Sequence, residues 1–285
     1  MTTQAGAAVT TAVDQVDQPP KTVKGNPKWG DWILRFVAAL VLLYLFLPIF
    51  VIILFSFNDP QGKFNYSWQG FTLKNWADPF KYPALTDALK LSLNVAAVST
   101  AIALVFGTLV AIALVRQRFR GKTAVDTFLV IPLTAPEVVM GAALLTLFLN
   151  LNWATGYSTI VIAHVAFEIS FIAMTVRARV RGFDWTLEDA SMDLGASPTR
   201  TFFKVTLPLI VPGIIAAAML SFALSLDDFI ITYFVSGSTV TYPLYVNAAV
   251  KAAVPPQINV LATAILVISL VLLALGTLVR RKQVT

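Results

Sequence analysis

Cysteine is absent from this chain of 285 residues, and histidine occurs once, as His164. The first absence excludes disulfides and thiolate-held metals; the second excludes a histidine-cluster metal site. A lone histidine inside an apolar stretch leaves no Ser-His-Asp constellation to converge, so no catalytic set is assigned. Charge is scarce as well. Charged residues make up 13% of the chain, against about 25% in an ordinary globular domain. The phosphate-cradling motif Gly-x-x-x-x-Gly-Lys-[Ser/Thr] is missing. Gly121-Lys122-Thr123 copies its tail, but position 116 is Arg and no strand precedes it. The chain therefore has no ATP site of its own. The net charge of +6 is segregated by loop, which points to membrane topology and not to nucleic acid.

What is present is apolar. Hydrophobic residues reach 57% and mean hydropathy is +0.76, the composition of an integral membrane protein. A helix crosses a bilayer with roughly 20 apolar residues. Six segments meet or approach that length: 36–55, 91–115, 127–149 (interrupted by Pro132, Pro136 and Glu137), 159–176, 207–226 and 258–279. Lys and Arg residues set the direction. Sixteen of the 21 lie in the N-terminal segment, at 116–122, at 177–204 or at the C-terminus, and five lie between. The expected fold is an all-α polytopic membrane protein in the cytoplasmic membrane. It has six transmembrane helices, both termini cytoplasmic, and a cytoplasmic helix-turn-helix between the fourth and fifth spans. Residues 1–30, rich in Thr, Ala, Gln and Pro and without an apolar run, read as a disordered cytoplasmic tail with no secretory signal. Residues 31–285 read as the membrane domain.

The first outside loop, 58–90, carries Phe64, Tyr66, Trp68, Phe71, Trp76, Phe80 and Tyr82. It reads either as a packed loop with interfacial anchors or as a docking surface for an extracytoplasmic partner.

Between the fourth and fifth spans, about 184–208, lies a polar stretch that does not belong in hydrocarbon. Thr186 followed by Asp189 fits a capping box. Glu188 and Asp189 complement the first-turn dipole. Leu187, Ala190 and Leu194 share a face. Gly195 fits the left-handed position past a helix end. Ser197 is a good N-cap and Pro198 a good first helical residue. Helix, tight turn and second helix follow. On these features alone, an amphipathic hairpin on the membrane surface and a docking elbow for a soluble motor are both open.

The elbow resembles the EAA loop of inner-membrane permease subunits of ATP-binding-cassette importers. That pattern is Glu-Ala-Ala, three residues, Gly, nine residues, Ile, one residue, Leu-Pro. Here it reads Asp189-Ala190-Ser191, Gly195, Val205, Leu207-Pro208, with three conservative departures: Asp, Ser and Val. The likeness covers about residues 36–282 and is closest to spermidine/putrescine permeases, the second permease of the pair. It is carried by Ser221-Phe222-Ala223-Leu224-Ser225-Leu226-Asp227-Asp228-Phe229, Tyr233-Phe234-Val235-Ser236-Gly237 and Pro256-Gln257-Ile258-Asn259-Val260. The resemblance implies that the loop is a coupling helix seated in a groove of an ATPase subunit. It also implies a second homologous permease, two ATPase subunits that bind the ATP and Mg, and an extracytoplasmic polyamine-binding protein. No cofactor or metal is implied on this chain.

Ionisable residues inside spans mark functional sites by default. Glu137, Glu168, Asp227 and Asp228 are candidates for a path offering carboxylates to a cationic cargo. Each has a structural alternative. Glu168 and His164, four apart, can pair and lock packing. Asp227 can cap the end of a span and leave Asp228 in the path. Glu137 can satisfy groups freed by Pro136. Asp126 reads as a boundary residue. The function expected is a non-catalytic permease subunit of a polyamine importer. Another cargo (an organic cation, an amino-acid-like solute or iron) stays open, as does a proton-coupled transporter using His164 and Glu168.

Overall fold

The computed structural model describes residues 29–282, with side-chain surroundings through residue 271. Most of the expected N-terminal tail, 1–28, and the basic side chains Arg280, Arg281 and Lys282 lie outside the described residues. Two units are distinguished, one through Leu54 and one from Phe55 onward.

The first unit holds helix α1 (Trp29–Phe55), 27 residues with Pro48 inside it, up to Leu54. Every other element belongs to the second unit. These are α2 (Lys74–Ala77), α3 (Pro83–Arg116), α4 (Lys122–Thr134), α5 (Glu137–Asn150), α6 (Tyr157–Arg181), α7 (Thr186–Asp193) and α8 (Pro198–Thr201). A π-helical turn (Phe202–Thr206) leads into α9 (Leu207–Asp227), followed by α10 (Ile230–Val235), α11 (Tyr242–Ala252) and α12 (Pro256–Lys282). Two isolated β-bridges occur, Asn58 with Phe71 and Phe64 with Val254, and no strand forms among the described residues.

Among the described residues four helices are long and apolar enough to cross a membrane: α1, α3, α6 and the continuous run Pro198–Asp227. The expected third span is a bent pair, α4 and α5, turned by 109° at the break. Proline explains the bend. A residue preceding proline is pushed out of the α region, and Ala135 is extended at φ −69°, ψ 138°. The helix therefore stops at Thr134 and restarts at Glu137. If the pair counts as one span the described total is five. The expected sixth span falls in α12, whose described apolar part is Pro256–Val271.

The core is a close pairing of α3 and α6, with α9 packed on both. Small residues make the approach possible, as between membrane helices generally. Ala103, Gly107 and Ala111 recur every four residues on one face of α3 and meet Ile172, Val176 and Val180 of α6. At Gly107 the backbones come so near that a Cβ would lie 2.7 Å from Ile172 Cγ2 and 3.1 Å from the Ile169 carbonyl oxygen. A second cluster joins Val95, Ile160, Ala163 and Phe167 to Ile231 and Val235 of α10, and Phe148 of α5 packs there too.

The loop after α1 folds around Asn58, which is fully buried. Its Nδ2 donates to Asn65 Oδ1 at 2.6 Å and to the Ser67 carbonyl at 2.8 Å, and its Oδ1 accepts from Gln69 N at 2.7 Å. The Phe57 ring stacks on Phe71 and Trp76. Val254 N donates to the Lys63 carbonyl and Tyr66 Oη to the Val250 carbonyl, each at 2.9 Å. The loop is thus packed and pinned to the last turn of α11 and to the turn that follows it.

Gly107→Leu is expected to force α3 and α6 apart and to cost about 1–3 kcal/mol. A thermal-unfolding scan of the detergent-solubilised protein checks this; a melting temperature equal to the parent's would show that the approach is not tight.

Candidate functional site

The elbow is built by local rules, with one change from expectation. The capping box of Thr186 with Asp189 does not form. Asp184 takes the role instead, its Oδ1 accepting from Thr186 N at 3.1 Å and from Thr186 Oγ1 at 2.8 Å. A carboxylate is the stronger acceptor, so the threonine hydroxyl turns round and donates. At the other end of α7, Gly195 sits at φ +87°. Gly195 N donates to the Met192 carbonyl at 2.9 Å and Ala196 N to the Ser191 carbonyl at 3.1 Å. These are the two bonds of a Schellman stop. Ser197 Oγ then accepts from Arg200 N at 3.4 Å, and Pro198 opens the second helix.

Between the arms lies an open groove of about 540 Å³ lined by Leu187, Ala190, Leu194, Gly195, Lys204 and Val205. Ser191 also lines it and meets Thr201 at 3.1 Å, hydroxyl to hydroxyl. Leu194 is 90% exposed, with Arg200 and Lys204 at the rim. Of the expected motif, Ala190, Ser191, Gly195 and Val205 come together here. Asp189 is exposed nearby, while Leu207 and Pro208 begin α9.

Glu188 behaves differently from its neighbours. Read from sequence it complements the helix dipole; in the fold it is buried. Arg116 Nη2 lies 2.8 Å from Glu188 Oε2 and Arg116 Nη1 3.4 Å from Oε1, and the Thr206 hydroxyl donates to Oε1 as well. The Arg116 guanidinium sits 5.6 Å from the Trp185 ring centroid. Local sequence carries no sign of this contact, because its partners are 72 residues apart.

The second feature is a cavity of about 370 Å³ whose lining includes Glu137, Asp227, Asp228, Phe167, Phe171 and Phe229. Glu137 reaches it as the first residue after the break between α4 and α5. Three of the four expected path acids meet here and the fourth does not. Glu168 is fully buried on α6. Its Oε1 accepts from Ser99 Oγ at 3.1 Å and Thr100 Oγ1 at 3.5 Å. Its Oε2 is buried without a hydrogen-bond partner.

His164 and Glu168 share a face but are not hydrogen-bonded to one another; hydroxyls join them. His164 Nδ1 lies 2.7 Å from Ser225 Oγ, which lies 3.1 Å from Ser99 Oγ. His164 Nε2 is 2.9 Å from Thr232 Oγ1 and 3.3 Å from Asp228 Oδ2. Asp228 also caps α10, accepting from Thr232 N at 2.8 Å and Thr232 Oγ1 at 2.7 Å. Its side chain is 6% exposed. Asp227, the last residue of α9, is exposed toward the cavity. The roles weighed for the two aspartates are thus exchanged: Asp228 is the cap and Asp227 the accessible acid. Asp126, read as a boundary residue, forms a two-pronged pair with Arg177 and ties α4 to α6. Among the described residues no group of three or more His, Asp or Glu forms a metal-holding cluster.

The family model described as "Binding-protein-dependent transport system inner membrane component" matches residues 103–283. The chain is 39% identical over 241 residues to the spermidine/putrescine transport system permease protein PotC of Escherichia coli strain K12, covering 84% of this chain and 90% of that protein. It is 39% identical over 231 residues to the putrescine transport system permease protein PotI of the same strain, covering 78% and 82%. Among solved structures, a bacterial ABC transporter involved in the import of the acidic polysaccharide alginate superposes with a TM-score of 0.60. The identity is 17%, over 92% of this chain and all of that one, a likeness of fold alone.

His164→Leu strips hydrogen-bond partners from Ser225, Thr232 and Asp228 at once. A loss of about 1–3 kcal/mol is expected for leaving buried polar groups unpaired, whereas Asp227→Asn is expected to be nearly neutral. Melting curves of the two variants in one detergent compare them; equal stability would mean the histidine holds nothing together.

Proposed function

The chain belongs to the family of binding-protein-dependent transport system inner membrane components, and from that premise we propose that it is a permease subunit of an ATP-driven polyamine importer. The observation that carries the reading is the elbow. Ala190, Ser191, Gly195 and Val205 line an open groove, with Asp189 exposed beside it, on a helix-turn-helix whose second arm runs on into a membrane helix. A surface hairpin lying in lipid needs no such concave, basic-rimmed seat.

In this reading the chain crosses the cytoplasmic membrane six times, with both termini inside, and pairs with a second homologous permease. Two ATPase subunits bind ATP and Mg and dock on the elbows. A soluble protein delivers cargo from outside. The chain itself performs no bond chemistry. Its work is to present a path and to change which side of the membrane that path faces.

The cavity suits a slender polycation. Glu137 and Asp227 offer carboxylates for charge-assisted hydrogen bonds to ammonium groups. The rings of Phe167, Phe171 and Phe229 can flank a cationic chain. Asp228, held by His164 and Thr232, sets the shape of this corner instead of reaching for cargo. The names of the 39% identical relatives support spermidine and putrescine as the cargo.

Uptake of labelled putrescine and spermidine by cells lacking the gene, with and without a restored copy, tests the proposal. The restored copy should recover uptake. A Gly195→Arg copy should reach the membrane in normal amount yet lose most uptake, since its left-handed backbone resists a side chain and a guanidinium would fill the groove. Asp227→Asn should raise KM by about tenfold, the effect of losing one charge-assisted bond. Normal uptake by Gly195→Arg would remove the elbow from coupling. Absence of uptake from the restored strain would take polyamines off this importer.

A further inference from the structure

The elbow is joined by the chain itself to two membrane helices. α6 runs into it and α9 runs out of it. Helix α3 has no such continuity, although it is the helix most closely packed against α6. Among the described residues of α7, the hydrogen bonds that leave the elbow for another membrane helix are those of Glu188 to Arg116, at the last turn of α3.

Three features mark this contact as a built joint. The Glu188 side chain is 5% exposed, and both of its oxygens are engaged. The guanidinium is gripped from a second side by the Trp185 ring at 5.6 Å. The Thr206 hydroxyl, at the end of the π-turn that precedes α9, shares the same carboxylate. One carboxylate thus ties the elbow, α3 and the start of α9.

α3 is also a long lever. From Arg116 to Ser99 it spans about 25 Å at about 1.5 Å per residue. Ser99 sits in the buried hydroxyl network that ends at His164 and Asp228 beside the acidic cavity.

We propose that Glu188 and Arg116 form the latch through which a push on the elbow is delivered to α3, making both positioning residues of the transport step. The proposal rests on the importer reading above. With the latch closed, α3 moves as one body with α6 and α9. With it open, α3 can slip along its neighbours, and ATP is hydrolysed without moving the path.

The test uses the complete importer, purified by a tag on this chain and placed in liposomes. It has two readouts: labelled spermidine taken up per ATP hydrolysed, and the change on trapping ATP in the thiol-labelling rate of Lys90→Cys. Lys90 is exposed near the outer end of α3, and this chain has no native cysteine. Glu188→Gln should keep ATP hydrolysis near the parent level, lower uptake per ATP by about tenfold and abolish the labelling response. The exchange Arg116→Glu with Glu188→Arg should restore both. Arg116→Lys keeps the charge but loses the two-pronged contact; it carries the same expectation should Glu188→Gln fail to assemble. A single variant that retains the labelling response, or an assembled exchange variant that recovers nothing, would overturn the latch. A parent complex that hydrolyses ATP and shows the labelling response but carries no spermidine would sink the cargo reading and leave the latch to be judged by labelling. A chain that retains no ATPase on purification would sink the importer reading, and the latch with it.

Discussion

The close pairing of α3 and α6 is the constraint from which the rest of the second unit follows. In hydrocarbon there is little hydrophobic gain from bringing two apolar helices together, so association depends on how near their backbones approach and on polar groups shared between them. The stripe Ala103, Gly107, Ala111 supplies the approach. Ser99, Thr100 and Glu168 supply the shared polar contact. Because the two helices lie so close, Ser225 of α9 can bond to both, reaching Ser99 on one and His164 on the other. Through Thr232 the same histidine then fixes α10 and the corner where Asp228 sits.

The arginine-bearing helix ends show one set of charges performing two tasks. Arginines near helix ends on one side orient a membrane protein during insertion. In the folded chain three of them also bind neighbouring elements. Arg116 holds Glu188, Arg177 holds Asp126, and Arg179 donates to the Leu209 carbonyl at 3.3 and 3.4 Å. A guanidinium presents several donors in a rigid fork, which suits it to joining helices where water begins. The acids that answer two of these arginines, Glu188 and Asp126, are ones that charge counting ignores.

The acidic residues sort by surroundings and not by number. Glu137 reaches its cavity because Pro136 breaks the helix immediately before it, so a proline that looks like an interruption is what aims the carboxylate. Asp227 and Asp228 are adjacent, yet one ends a helix and faces the cavity while the other turns back to cap α10. Glu168 satisfies the rule that intramembrane acids find polar company, but its company is hydroxyl groups in the interior.

The sequence by itself determined whatever depends on near neighbours. Apolar runs mark helices, because a backbone in lipid must satisfy its own hydrogen bonds. The Gly195 stop and the Ser197 cap each act within a few residues of themselves and are legible; Pro132, Pro136 and Glu137 all read as interruptions, and the fold runs the helix through Pro132 and breaks it before Pro136. The side-chain acceptor at the start of α7 is Asp184 and not Thr186, since both offer oxygen and only the folded turn selects between them. Tertiary structure alone decided which acid is exposed, which is capped and which is buried, and which arginine meets Glu188. Those outcomes hang on partners such as Ser99 with Ser225, 126 residues apart. No local pattern encodes that meeting, because it is set by the rotation and closeness of helices once they pack.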